Sequence, residues 1–161
     1  MGSFNEELCL CNWRFRKKRA DIDNRLRNGL NAQYEEGESP VIHKSKQQLA
    51  EYFDGQRKSF DIPLLKVGTS FQQSVWDQIL KIPYGKTWSY YLISQKIGNT
   101  SAIRAVASAN GANAIAIIIP CHRVVGSSGE LTGYAGGIAI KRRLLQLETK
   151  DQSPAQSELF S

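Results

Sequence analysis

Six consecutive apolar residues, Ala114 to Ile119, run directly into Pro120-Cys121-His122-Arg123. A run of this kind belongs inside a protein, as a buried strand or an extended core segment. It falls far short of the roughly 18 apolar residues needed to cross a bilayer. The chain must therefore pack an interior around a segment that delivers a thiol, an imidazole and a guanidinium at three successive positions. With 161 residues and 41% hydrophobic composition it has material for one domain, or for two small ones sharing a core.

Ahead of that run the signals vary in strength. Leu8 to Trp13 alternates like a strand. Asp21 to Glu38 is polar without firm periodicity, a loop or a weak helix. His43 to Asp54 reads as a helix with Leu49, Ala50 and Phe53 on one face and Gly55 at its end. Ser59 to Leu64 is an extended connector. A boundary near Lys66-Val67-Gly68 divides an N-terminal α/β part (1–66) from a C-terminal part (67–149), with a polar, frayed tail over 150–161.

From Thr69 onward the pattern sharpens. Thr69 or Ser70 can cap a helix with an apolar stripe of Phe71, Val75, Trp76, Ile79 and Leu80. Pro83 to Lys86 is a turn. Ser89 caps a second helix, Tyr90 to Ile97, closed by Gly98. Asn99 or Thr100 caps a third, running to Asn110 and stopped by Gly111. Two short helices joined by a tight turn form the helix-turn-helix pattern. The third helix is rich in small residues, and Arg104 is its only charge, so it can approach a duplex or another helix closely. Past the apolar run, Gly126 to Gly129 is a turn, and Ile138 to Glu148 is a helix with Leu144, Leu145 and Leu147 apolar.

Net charge is +6, which favours polyanionic partners only weakly. Two basic clusters, Arg14 to Arg19 and Lys141 to Arg143, read as solvated faces. Three cysteines cannot build a disulfide framework. The opening residues lack the basic region of a leader, so a soluble, cytoplasmic chain with reduced thiols is expected. Cys9, Cys11 and His43 have poor spacing for a metal, and none is expected. Standing alone, Cys121 and His122 would be an ordinary buried thiol and core imidazole. Beside Arg123, at the end of a rigid segment, the thiol has neighbours that favour its thiolate.

Ile119 to Val125 (IPCHRVV) resembles the active-site signature of the O6-alkylguanine-DNA alkyltransferases, also called methylated-DNA–protein-cysteine methyltransferases. The likeness extends to Phe71–Trp76 (FQQSVW), Ile82-Pro83-Tyr84-Gly85, Ser89-Tyr90, Arg104-Ala105-Val106, Asn113, Gly133 to Gly137 and Leu144 to Glu148. It runs without gaps from Gly68 to Glu148, about half the chain.

The resemblance implies an α+β fold, in which a small N-terminal sheet and helix pack on a mostly helical, winged helix-turn-helix-like C-terminal domain. It implies that Cys121 attacks the alkyl carbon on guanine O6 in double-stranded DNA, with O4-alkylthymine as a further possible substrate. His122 would be the base acting through a water, and Glu148 would orient it. Asn113 would hold the turn of the active-site segment. Tyr90 would help turn the nucleotide out and protonate the departing guanine. Arg104 would fill the gap left in the stack, with Tyr91, Asn99, Ser101, Ala102, Arg123 and Ser127 also on DNA. The backbone around Val124, Tyr134 and Ala135 would line the base pocket. A thioether is a stable product, so the implied reaction is a single turnover by a monomer, with no cofactor.

The chain departs from the family in two places. Only seven residues precede Leu8, so the opening strand is expected to be absent or shortened, and Ala114 stands where many relatives have proline. The fused phosphotriester-repair and activator domain of some relatives is not expected, nor is a regulatory role. The alternative is a non-catalytic alkyltransferase-like reader of DNA damage, which replaces the nucleophile, commonly with tryptophan. A plain helix-turn-helix regulator would want a more charged recognition helix, and a thiol hydrolase would turn over repeatedly.

Overall fold

The computed structural model describes residues 1–13, 16 and 18–150. Strands β1 (Gly2–Phe4) and β2 (Glu7–Leu10) pair antiparallel as a hairpin. Asn5 and Glu6 between them both take positive φ, 48° and 64°, as the two-residue turn matching hairpin twist requires. The opening strand is thus present but short. The strand expected to reach Trp13 ends at Leu10, and Cys11 extends it by one bridge to Ile115. Backbone bonds carry this segment across the molecule. Leu8 donates to Pro63 O at 2.9 Å, and Cys11 donates to Ala114 O at 2.9 Å.

The stretch read as a loop or weak helix forms α1 (Arg19–Leu30), which buries Ile22 and Leu26 and closes at Asn31 with φ 47°. Helix α2 (Pro40–Phe53) begins at Pro40 rather than His43, because Ser39 accepts from Ile42 N and proline suits a first turn. Its buried face is Val41, Ile42, Ser45, Gln48, Leu49 and Tyr52. Ala50 and Phe53, expected on that face, are exposed.

Thr69 caps α3 (Ser70–Ile79) in a capping box with Gln72, and Val75, Trp76 and Ile79 point inward. Leu80, expected on the same stripe, is exposed. Strand β3 (Trp88–Ser89) leads into α4 (Tyr90–Lys96), where Ser89 Oγ accepts from Leu92 N at 3.0 Å. Helix α5 (Ile103–Gly111) starts later than either expected cap and has no side-chain cap. The Asn99 side chain instead accepts from Ser101 Oγ at 2.7 Å, and its carbonyl accepts from Ala102 N. Trp76 Nε1 ties α3 to α5 through Ala109 O at 2.9 Å.

Strand β4 (Val124–Val125) pairs parallel with β3, and α6 (Ile138–Lys150) closes the described chain. The fold is α+β with a helical C-terminal part. Buried residues from both sides of the 66–68 stretch, among them Leu8, Leu26, Trp76, Ile119 and Leu144, form one cluster. Among the described residues, no helix is long and apolar enough to cross a membrane. Arg14, Phe15 and Lys17 of the first basic cluster, and the expected tail from 151 on, lie outside the described residues.

Candidate active site

Residues 114–119 are all buried, as expected, but they do not form a straight strand. Ile118 N donates to Ala116 O at 2.9 Å, a γ-turn with Ile117 at its centre and φ +73°. A β-branched residue is strained in this region. An inverse γ-turn follows at Pro120 (φ −80°, ψ 60°), where Cys121 N donates to Ile119 O at 2.8 Å. Asn113 braces both turns: Oδ1 accepts from Ile115 N at 2.8 Å, and Nδ2 donates to Ile119 O at 3.0 Å. Cys121 therefore opens a single 3₁₀ turn, Cys121–Arg123, on a doubly folded base.

That turn faces Glu148 of α6. His122 Nε2 lies 2.7 Å from Glu148 Oε1, and Arg123 donates through Nε at 2.9 Å and Nη2 at 3.0 Å. Tyr52 Oη donates at 2.7 Å and Gly85 N at 3.1 Å. Burial pushes the Glu148 carboxyl up, but the His122 and Arg123 hydrogen bonds outweigh it and hold the group at about 2. Burial pushes His122 down, so its imidazole is neutral. With Nε2–H directed at the carboxylate, Nδ1 keeps its lone pair and has no protein partner among the described residues.

Cys121 lies at the wall of a cleft of about 670 Å³, with Tyr90, Thr132, Gly133, Tyr134 and Ala135 around it and Ala107 and Ser108 of α5 at one side. Burial raises the thiol pKa; Asn113, Arg16 and Lys141 pull the other way without overcoming it. Burial thus favours the neutral thiol at rest. Trp13 Nε1 donates to Tyr134 Oη at 3.3 Å, and Tyr90 Oη to Thr132 O at 3.4 Å.

The other expected residues are scattered by role. Tyr91, Asn99, Ser101, Arg104 and Ser127 are exposed and Ala102 is half-buried. Arg123, expected on DNA, is 6% exposed and faces inward, because its charge is taken by Glu148 and its Nη1 donates to Ile82 O at 2.7 Å. Val124, with its backbone expected at the base pocket, is fully buried, and its carbonyl accepts from Lys141 Nζ at 2.5 Å. Neither basic cluster is wholly a solvated face. Lys141 is buried, donates to Thr132 O at 2.8 Å, and is pushed down to about 8 by burial. Arg16 is buried too, with Nη1 donating to Asn113 O at 2.6 Å. Within a run of charge, nothing in the sequence marked either residue as internal. Tyr52 was missed as a partner of Glu148, although its place on the α2 stripe could have marked it as buried.

Residues 70–150 match the family model described as 6-O-methylguanine DNA methyltransferase, DNA binding domain. A methylated-DNA–protein-cysteine methyltransferase of Mycobacterium bovis is 57% identical over 113 residues, covering 70% of this chain and 68% of that one. The constitutive enzyme of that name from Bacillus subtilis is 49% identical over 115 residues, covering 71% and 70%. The crystal structure of Mycobacterium tuberculosis OGT in complex with DNA superposes with a TM-score of 0.80 at 41% identity, covering 92% of this chain and 84% of that one. On a family match over half its length, and on relatives this similar over most of theirs, the chain belongs to the 6-O-methylguanine DNA methyltransferase family.

Proposed function

We propose that this protein repairs O6-alkylguanine in double-stranded DNA by direct reversal, moving the alkyl group onto its own Cys121 once per chain. The observation that carries the reading is a nucleophile at a cleft wall backed by a buried His122–Glu148 pair. Neutral His122 takes the thiol proton at Nδ1 through a bridging water, and Glu148 stabilises the imidazolium. The thiolate attacks the alkyl carbon. The S–C bond forms as the C–O6 bond breaks, and the electron pair leaves with the guanine, which takes a proton from Tyr90. The products are an S-alkylcysteine and an unmodified guanine.

The target base sits in a duplex stack, so it must swing out, at a cost of a few kcal/mol. Small residues on α5 allow close approach to the duplex, with Arg104 standing in for the extruded base and Tyr91, Asn99, Ser101, Ala102 and Ser127 on the backbone. Tyr134 and Ala135 line the pocket that takes the base. The cytoplasm, where thiols stay reduced, suits a protein whose product depends on one free thiol.

The test is to mix the protein with a duplex carrying O6-methylguanine and weigh it afterwards. A gain of one methyl per chain, absent in Cys121→Ser, is expected. Binding without gain would replace this reading with that of a non-catalytic damage reader, and repeated turnover would replace it with that of a hydrolase.

A further inference from the structure

Arg16 has no part in the transfer just described, yet it lines the same cleft as Cys121 and reaches it from the opposite end of the chain. The residue is only 8% exposed. Its Nη1 donates to Asn113 O at 2.6 Å and its Nη2 to Gly111 O. These carbonyls lie where α5 ends, a place where unpaired acceptors and the helix dipole favour a cation. Arg25 of α1 adds a bond to Ala112 O at 2.7 Å. Asn113, held by its carbonyl, uses its side chain to fix Ile115 and Ile119, two residues before the nucleophile.

A guanidinium could cap a helix from the surface with its head in water. Arg16 does not: burial lowers its pKa, and Nε is left without a partner among the described residues. Among the described residues, the charged and titratable groups that share the cleft with Cys121 or act on its sulfur are Arg16, Lys18, Asp21 and Arg25 of the N-terminal part, Tyr90 on α4, Tyr134 before α6 and Lys141 on α6, with His122 adjacent in the chain. Of the four from the N-terminal part, Arg16 both acts on the Cys121 sulfur and holds the Asn113 carbonyl.

We infer that Arg16 is a positioning residue for alkyl transfer, locking the Gly111–Asn113 turn that carries the active-site segment and setting positive charge against the wall where the Cys121 thiolate forms. The inference rests on the acceptor role proposed for Cys121. It gives the N-terminal part a direct share in the chemistry, beyond its packing.

The test uses the full chain with Arg16→Gln and Arg16→Lys. Methyl transfer from an O6-methylguanine duplex and alkylation of Cys121 by iodoacetamide are each followed across pH by mass. Arg16→Gln should move the midpoint of the acid limb up by about one unit in both assays, slowing them about tenfold near neutral pH. Arg16→Lys should keep the midpoint but lower the plateau rate of transfer, since an ammonium cannot span both carbonyls as the planar fork does. A slower Arg16→Gln variant with an unmoved midpoint would overturn the proposal, reducing Arg16 to a structural brace. If Arg16→Gln does not fold, Arg16→Lys decides, and a wild-type plateau overturns the proposal. If the wild type transfers no methyl while the iodoacetamide midpoint still moves in Arg16→Gln, the acceptor reading fails and the charge effect stands.

Discussion

His122 Nε2 lies 2.7 Å from Glu148 Oε1, and neither side chain is exposed to solvent. The pair does more than orient an imidazole. The same carboxylate neutralises Arg123, receives Tyr52 from α2 and anchors the turn at Gly85. One buried charge therefore joins the last helix, the active-site turn and the N-terminal part, so its loss has two separable consequences.

Replacing Glu148 with Gln should slow transfer and weaken the fold together. Arg123 would be left buried without its counter-ion, at a cost of about 3–5 kcal/mol. His122 would lose the partner that stabilises its protonated form, and the base contribution at stake is about 10²–10⁴ in rate. Urea unfolding and single-turnover methyl transfer read the two effects. A variant with wild-type unfolding would show that the Arg123 contact contributes nothing.

Stability should also decline in acid, in two stages. Burial holds His122 below its ordinary 6.5. The unfolded chain therefore takes up that proton first, and stability begins to fall as pH drops below that value. Glu148, at about 2 against an ordinary 4.5, contributes fully above 4.5 and loses its contribution as pH falls toward 2. Linkage puts this second stage on the order of 3 kcal/mol. Urea midpoints stepped down from neutral pH should show both stages, with the lower one missing in Glu148→Gln. A flat wild-type profile contradicts the assignment.

The parts of this architecture that were legible in the sequence carry local signals. Thr69 with Gln72 announces a helix start, and Ser89 does the same for α4. Helix α1 offered little to read: Lys18 at its start makes no side-chain cap, and its inward stripe is Ile22 and Leu26 amid charged and amide residues. The apolar run hid its own γ-turn, since six apolar residues show no alternation to mark a reversal at Ile117. Arg16, Arg123 and Lys141 show the deeper difficulty. A charge is visible in a sequence, but the carbonyl or carboxylate that draws it inward is distant in the chain and emerges only when helices pack.

The reversal at Ile117 makes an unusual stability order. Its φ of +73° disfavours any residue with a Cβ, while its side chain is only 5% exposed. Both Ile117→Ala and Ile117→Gly should therefore destabilise, each losing a packed side chain at about 2–5 kcal/mol. Glycine should nonetheless be the better of the two by about 1 kcal/mol, since it alone adopts the turn without strain. Denaturant midpoints for the two variants test this. Alanine more stable than glycine would mean that the turn does not hold this conformation in solution.

Gly136 packs closely against Trp13 of the N-terminal part and against Tyr134. A Cβ there would meet Trp13 Nε1 at 2.7 Å and Trp13 Cδ1 at 2.8 Å, with Tyr134 Cε1 at 3.0 Å. All three atoms belong to a hydrogen-bonded indole–phenol pair whose phenol lines the cleft, so neither ring can yield without moving the other. Gly136→Ala should cost about 1–3 kcal/mol in stability through overpacking. It should also slow methyl transfer from duplex DNA, because Tyr134 lines the pocket proposed to receive the base. Trp13→Phe, which removes the Nε1 atom, should recover part of both losses when combined with Gly136→Ala. If the double variant is as impaired as the sum of the two single variants, the close approach to Trp13 is not the cause.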